Sequence, residues 1–296
     1  MNKFTLRIDN QEMKWVINKV KYFWGDAYTT KFKIRQKLKS IFYNEGTSEY
    51  QENVGEKASL EFNERLINYR EWNYFEVNPY FSIDTDLKLS TKSLSLKYLE
   101  SILEDNFCID EISTINGLLK SICFQINESI ESEQNIKIEV DSDDYSTKSL
   151  LKYVSAKMSD GDFILSENDL SYNDAILIQL NMINKIADSK ANIAKKNLVL
   201  LDIPLLTSVL YDWLQNSASE NLKMLVFSNT SHKPDNVDDY VIVKNRFLDL
   251  SFEEELFDKI INEIDVNISV DELKEELINI ISGKETVKTS KILSLI

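Results

Sequence analysis

Histidine is almost absent: among 296 residues the single one is His232. Any Ser-His-Asp or Cys-His relay would have to run through it, and a zinc site would lack its usual ligands. His232 follows a strand end, where α/β folds place ligands, but no carboxylate or nucleophile is fixed beside it, so it reads as an ordinary loop histidine. Glycine and proline are nearly as scarce, six and three, roughly a quarter of ordinary usage. Sandwiches, propellers and collagen-like folds need frequent turn residues, so long helices with a few strands are expected. Two cysteines, Cys108 and Cys123, lie in apolar helical patterns and read as buried core thiols rather than a disulfide or redox pair. Neither a signal peptide nor a run of ~20 apolar residues is visible, which points to a cytoplasmic protein.

What is abundant is acid, and it is unevenly spread. The formal net charge is −15. Residues 14–39 nevertheless hold eight basic residues, Lys14, Lys19, Lys21, Lys31, Lys33, Arg35, Lys37 and Lys39, against Asp26, a local +7 that leaves −22 for the rest. Residues 234–285 carry −10. Such a chain does not coat nucleic acid indiscriminately, yet it can bring one positive surface to a phosphate backbone. A solvated helix face is the commoner meaning of a charge run.

The pattern predicts strands at 4–8 and 15–24, then a helix capped by Thr29 or Thr30 with the apolar stripe Ile34, Leu38, Ile41 and Phe42. Residues 44–64 read as an exposed loop and 71–77 as a strand. Two helices follow over 91–133, with Leu94, Tyr98 and Ile102, then Ile112, Ile115, Leu119, Ile122 and Ile126 as buried stripes. A short strand at 136–140 and helices at 146–158 and 172–190 complete this part. Residues 197–202, 223–228 and 240–243 are apolar strands separated by helices, the pattern of a parallel sheet covered on both faces. Pro204 is expected to open the helix between the first two. The stripe Leu256, Phe257, Ile260, Ile261 and Ile264 and a capping box from Ser269 to Glu272 predict a helical end. The fold class is therefore α/β: a degenerate P-loop or RecA-like parallel sheet (1–90 and 191–262) with an inserted α-helical domain (91–190) and a helical C-terminal tail (263–296).

The segment from Gly25 to Phe32 has the strand-to-helix setting of a phosphate-binding loop and the right step from Gly25 to Lys31. Thr30 stands where the second glycine belongs, and Phe32 replaces the magnesium-binding hydroxyl. Asp202, ending an apolar strand, occupies the position of a second metal contact. These residues predict a nucleotide-binding type of scaffold without hydrolysis. An ATPase or nucleotide kinase using Gly25, Lys31 and Asp202 is the alternative, and a structural adaptor with a merely solvated basic helix is a third reading.

An ordered set of segments resembles the CRISPR-associated, DNA-end-binding ring proteins of subtype II-A, in their long streptococcal-type form. The set comprises the strand into Trp24-Gly25, the step to Lys31, and Gln36, Leu38 and Phe42 on the following helix. It continues through residues 71–83, Leu99-Glu100-Ser101-Ile102-Leu103, 196–201, the helix after Pro204 and 221–227. The resemblance implies a non-enzymatic homotetrameric ring with a positive central hole that loads onto free ends of double-stranded DNA. It would work with the adaptation integrase and the RNA-guided effector nuclease during spacer acquisition, with no nucleotide bound. It also implies calcium, with ligands that no motif identifies: Asp141-Ser142-Asp143-Asp144 opens like an EF-hand loop, but Ser146 and Lys152 stand where the glycine and glutamate belong. In such a ring the phosphate contacts would come from Lys31, Lys33, Arg35, Lys37 and Lys39, with Lys148 and Lys152 on the insertion as a second candidate set.

Overall fold

The computed structural model describes residues 2–8, 11–43, 58–105, 108–129, 139–230, 234–263, 268–284, 292 and 294–295. The strands are β1 (Asn2–Ile8), β2 (Gln11–Ile17), β3 (Val20–Trp24), β4 (Ser59–Phe62), β5 (Arg65–Leu66), β6 (Trp72–Val77), β7 (Met158–Asp160), β8 (Phe163–Leu165), β9 (Lys196–Asp202), β10 (Leu222–Ser228), β11 (Tyr240–Val243) and β12 (Phe247–Asp249). The helices are α1 (Tyr28–Phe42), α2 (Ile83–Asp86), α3 (Leu94–Asp105), α4 (Ile109–Ser129), α5 (Thr147–Leu151), α6 (Tyr172–Asp188), α7 (Ser208–Asn216), α8 (Glu253–Leu256) and α9 (Val270–Ile281). The chain divides into two units, one of Met1–Phe81, Tyr172–Leu177 and Ala194–Ile296, the other of Ser82–Ser171 and Ile178–Ile193.

The first unit is built on a six-stranded sheet of order β12-β11-β3-β10-β9-β6, parallel except for β12. Its central strands are apolar at nearly every position because both faces are covered, as a parallel sheet requires. A four-stranded antiparallel sheet, β2-β1-β4-β5, was not anticipated. The predicted strand over 15–24 is in fact two: β2 ends at Ile17, the chain bends at Asn18-Lys19, and β3 enters the other sheet. Unbroken aromatic and β-branched composition conceals that bend. Likewise the end of the expected 44–64 loop is β4, closed onto β5 by Asn63 and Glu64 at positive φ of 51° and 66°.

One core is shared by the small sheet, α1 and one face of the large sheet. Phe4, Leu6, Trp15, Phe23, Ile34, Leu38, Phe42 and Trp72 all belong to it. Phe4 lies opposite Trp15 in register and against it at 5.5 Å between ring centres, while Phe23 meets Phe227 of the neighbouring parallel strand at 4.9 Å. Within this apolar layer lies one charged pair. Lys21 Nζ donates to Asp249 Oδ1 at 2.6 Å, and Asp249 Oδ2 accepts the Val16 backbone N–H at 2.7 Å, so one carboxylate links β2, β3 and β12. Both side chains are sealed from solvent, and burial holds the Lys21 ammonium below its usual range despite Asp249.

Several helix boundaries differ from expectation for local reasons. Neither Thr29 nor Thr30 caps α1, which starts at Tyr28 after Ala27 with no side-chain cap. Pro204 precedes α7 by several residues, and Thr207 supplies the cap by accepting the Leu210 N–H. The predicted 146–158 helix stops at Leu151 and gives way to the β7–β8 hairpin. At the far end the Ser269–Glu272 capping box starts α9 as expected. Ile264, the predicted loop at 44–57, residues 136–138 of the expected short strand and His232 lie outside the described residues.

In the second unit α4 is the main departure. Ile115, Ile122 and Ile126, expected in a buried stripe, are exposed, as is Leu118. The half-buried face carries Ile112, Asn116, Leu119, Cys123 and Asn127; on it Asn127 pairs with both backbone groups of Val140, and Asn116 with both of Tyr145. The eleven steps from Asn116 to Asn127 rise about 16 Å along a helix. Five residues of extended chain cover the same span, so residues 140–145 run antiparallel along α4. Cys108 and Cys123 are half-buried rather than core thiols.

The buried ion pair gives a direct test. Asp249→Ala leaves Lys21 charged without its partner, and should cost about 3–5 kcal/mol in urea unfolding. Glu12→Ala, which breaks the exposed contacts to Arg7 and Lys14, should stay close to wild type.

Candidate functional site

The parallel strands β3, β9 and β10 all end on one edge of the sheet, where α/β folds bind ligands. Gly25 follows β3 there with φ +130° and is buried; a Cβ on it would fall 2.3 Å from the Val243 carbonyl oxygen, so only glycine fits. The step to α1 then brings Lys31 into the first helical turn, as the phosphate-loop spacing implies. Its ammonium turns inward rather than toward solvent. Lys31 is 7% exposed, and Nζ donates to the Gly25 carbonyl at 2.7 Å, the Ser228 carbonyl at 2.9 Å and Asn229 Oδ1 at 3.5 Å. An ammonium has three protons; two are held in short bonds to the Gly25 and Ser228 carbonyls and the third is directed at Asn229. The lysine therefore ties the ends of β3 and β10 together in the place where it would otherwise hold a phosphate.

Asp202 is similarly engaged. Its Oδ2 accepts from Arg35 Nη1 at 2.9 Å, and Arg35 Nη2 donates to Glu76 at 3.0 Å. Burial lowers the Arg35 pKa, but Glu76 and Asp202 outweigh it and hold the guanidinium above its usual range. Lys31 has no carboxylate in contact, so burial dominates and pushes it down to about 8, with Asp202 and Asp26 offsetting only part. Thr30 donates its backbone N–H to the Ala27 carbonyl, as an ordinary first-turn residue.

These side chains floor a cleft of about 570 Å³ lined also by Tyr28, Phe32, Asn78, Tyr80 and Asn229. The phosphate-loop pattern marks Phe32 only as a missing hydroxyl and points to neither Glu76 nor the other two rings. A signal was present: Tyr28, Phe32, Arg35 and Lys39 recur at i, i+4, i+7 and i+11, one helical stripe apart from the buried Ile34, Leu38 and Phe42.

Four of the eight basic residues of the +7 segment are paired with carboxylates where it folds. Lys14 pairs with Glu12, Lys19 with Glu220, Lys21 with Asp249, and Arg35 with Glu76 and Asp202. Lys33, Lys37 and Lys39 remain without a carboxylate partner among the described residues; Lys33 is exposed and the other two are half-buried. In the second unit Lys152 is exposed at the end of α5, and the Lys148 side chain lies outside the described residues. Of the acids that open like an EF-hand loop, Asp144 pairs with Lys120; elsewhere, Asp86 accepts the Leu94 and Ser95 backbone N–H groups at the start of α3, and Glu253 pairs with Lys274. Among the described residues no three metal-ligating side chains converge.

Against known structures the chain is similar to the crystal structure of Stu0660 of Streptococcus thermophilus, at 14% identity and a TM-score of 0.71, over 99% of this chain and 92% of that one. At that identity the likeness shows the fold alone. No family model and no curated protein sequence matches the chain. No helix among the described residues is long and apolar enough to cross a membrane.

The Lys31 geometry has a pH signature. Between pH 8 and the ordinary lysine range, the unfolded chain still binds a proton that native Lys31 has released, so this group makes stability rise with pH across that window. Below pH 8 both states are protonated and its contribution is constant. Urea midpoints of wild type and Lys31→Met compared from pH 7 to 9.5 should diverge in favour of wild type as pH rises. Parallel curves would mean that the lysine titrates normally.

Proposed function

We propose that this protein is a non-catalytic, sequence-independent binder of double-stranded DNA ends that acts as a homotetrameric ring in CRISPR spacer acquisition. What supports the reading is the ordered resemblance to that family, together with a degenerate phosphate-loop sheet in which the loop lysine is consumed internally. The observation that carries the DNA contact is the set of three cations on α1, Lys33, Lys37 and Lys39, unpaired among the described residues of an otherwise acidic chain. Four copies around one hole would focus that positive potential inward while the acidic remainder faces out. Contacts of this kind reach phosphate oxygens and carry no sequence information. Lys152 is a further contact on the insertion. Lys31 and Arg35 take no part, being held by the Gly25 and Ser228 carbonyls and by Asp202 and Glu76. The adaptation integrase and the RNA-guided effector nuclease are the expected partners. The described side chains of one chain do not fit a calcium site, and no step here depends on the ion.

A gel shift comparing one linear duplex with the same DNA as a covalently closed circle tests this reading. The linear form alone should bind, through a species about four times 34 kDa on size exclusion. Affinity should fall steeply with salt, with a log–log slope of roughly −0.9 for each phosphate neutralised. Lys33→Glu, Lys37→Glu and Lys39→Glu together should weaken binding by tenfold or more. Equal binding to both topologies, or none to either, would overturn the proposal.

A further inference from the structure

The cleft at the sheet edge has chemistry that duplex binding through α1 does not use. Three aromatic side chains line it with most of their surface in solvent: Tyr28 is 61% exposed, Phe32 59% and Tyr80 87%. None of these rings meets another aromatic ring among the described residues, whereas core rings such as Phe4, Trp15, Phe23 and Trp72 each meet several. Large exposed rings gathered at one concavity mark a binding surface more often than a structural one. The cleft volume, about 570 Å³, lies within the range of roughly 300–1,000 Å³ typical of small-molecule sites.

The charges beneath the rings select the ligand. The Lys31 ammonium is held by its own acceptors, and Arg35 is cancelled by Asp202 and Glu76. A polyphosphate therefore finds no free cation on this floor. Asp202 Oδ1, by contrast, keeps an open acceptor site beside the Oδ2–Arg35 bond. The Asn229 amide is fixed toward the same space, its Nδ2 donating to Tyr28 Oη at 3.1 Å. The combination suits a planar, neutral ring system with N–H donors on its edge.

We infer that this cleft stacks a single unpaired nucleobase between Tyr28, Phe32 and Tyr80, with Asp202 accepting from the base edge. Base-on-aromatic stacking is tolerant of sequence because every base has a π face. The base belongs either to a free nucleoside or to the frayed end of a DNA strand, and the second source rests on the DNA-end reading above. Along α1, Lys39 continues the stripe of Tyr28 and Phe32 two turns beyond Phe32. A strand whose phosphates lie on that lysine can thus bring its end toward the rings.

The test has two arms on the full chain. In the first, guanosine and guanosine triphosphate are titrated by saturation-transfer NMR into wild type and Tyr80→Ala, a variant whose native ring is almost wholly in solvent. Guanosine should saturate at millimolar concentration and no more weakly than the triphosphate, and Tyr80→Ala should weaken it on the order of tenfold. In the second, duplexes with three-nucleotide single-stranded overhangs are compared with blunt ones. Wild type should prefer the overhang, and Tyr80→Ala should lose that preference while keeping its affinity for blunt duplex. Guanosine binding without an overhang preference supports the inference with free nucleosides as the source, and the converse supports it with DNA ends as the source. Blunt-duplex binding with neither effect overturns the inference and leaves the DNA-end reading standing. Guanosine binding with no DNA bound at all overturns that reading and leaves the cleft assigned. An unchanged guanosine affinity in Tyr80→Ala overturns the stacking.

Discussion

A buried ammonium whose hydrogen bonds among the described residues all go to neutral acceptors organises the end of this sheet. Lys31 closes onto the carbonyls of Gly25 and Ser228, which end two adjacent parallel strands, and so it joins the strand before the loop to the strand beside it. The same three bonds remove the donor that a phosphate would need. In a phosphate-binding loop the glycine-rich turn wraps the anion and the lysine completes it; here Gly25 alone is required, by the close approach of the Val243 carbonyl, and the lysine completes the loop itself. Removal of a second glycine at Thr30 and of the hydroxyl at Phe32 follows the same direction, since neither is needed once no anion is wrapped.

Around this edge the two sheets of the first unit must stay in fixed relation, and the sealed Lys21–Asp249 pair sets it. One carboxylate accepts from a lysine of the large sheet and from a backbone N–H of the small one, so the aromatic layer between them is aligned at the point where the chain passes from one to the other. The cost of desolvating both charges is repaid only in that geometry. The core then positions α1, and α1 presents exposed Lys33 on one side and the rings Tyr28 and Phe32, continued by Lys39, on the side that meets the cleft.

Much of this arrangement is legible in the residues. The strands β9, β10 and β11 announce themselves because a parallel sheet buried on both faces leaves almost no polar position, and α1 because Ile34, Leu38 and Phe42 repeat at helical spacing. The Ser269–Glu272 box marks α9 by local hydrogen bonding alone. The antiparallel sheet is hidden by its short, half-polar β4 and β5 and by the continuous composition of residues 15–24. On α4 the face turned inward mixes Ile112, Leu119 and Cys123 with Asn116 and Asn127, so the apolar residues alone locate only part of it. The basic segment misled in a different way: the carboxylates that neutralise Arg35 lie 41 and 167 residues along the chain, and the carbonyl that receives Lys31 from β10 lies 197 residues away. Charge counted along the sequence sees none of these partners.

The central claim is that the phosphate loop is closed by its own lysine. Calorimetric titration of magnesium-ATP into wild type and Lys31→Met tests it most directly. The account predicts no micromolar binding to either protein, because the Lys31 ammonium is held by its own acceptors in the first and is absent from the second. Micromolar affinity in wild type that disappears in Lys31→Met would contradict it and show that Lys31 leaves its carbonyls to take a phosphate.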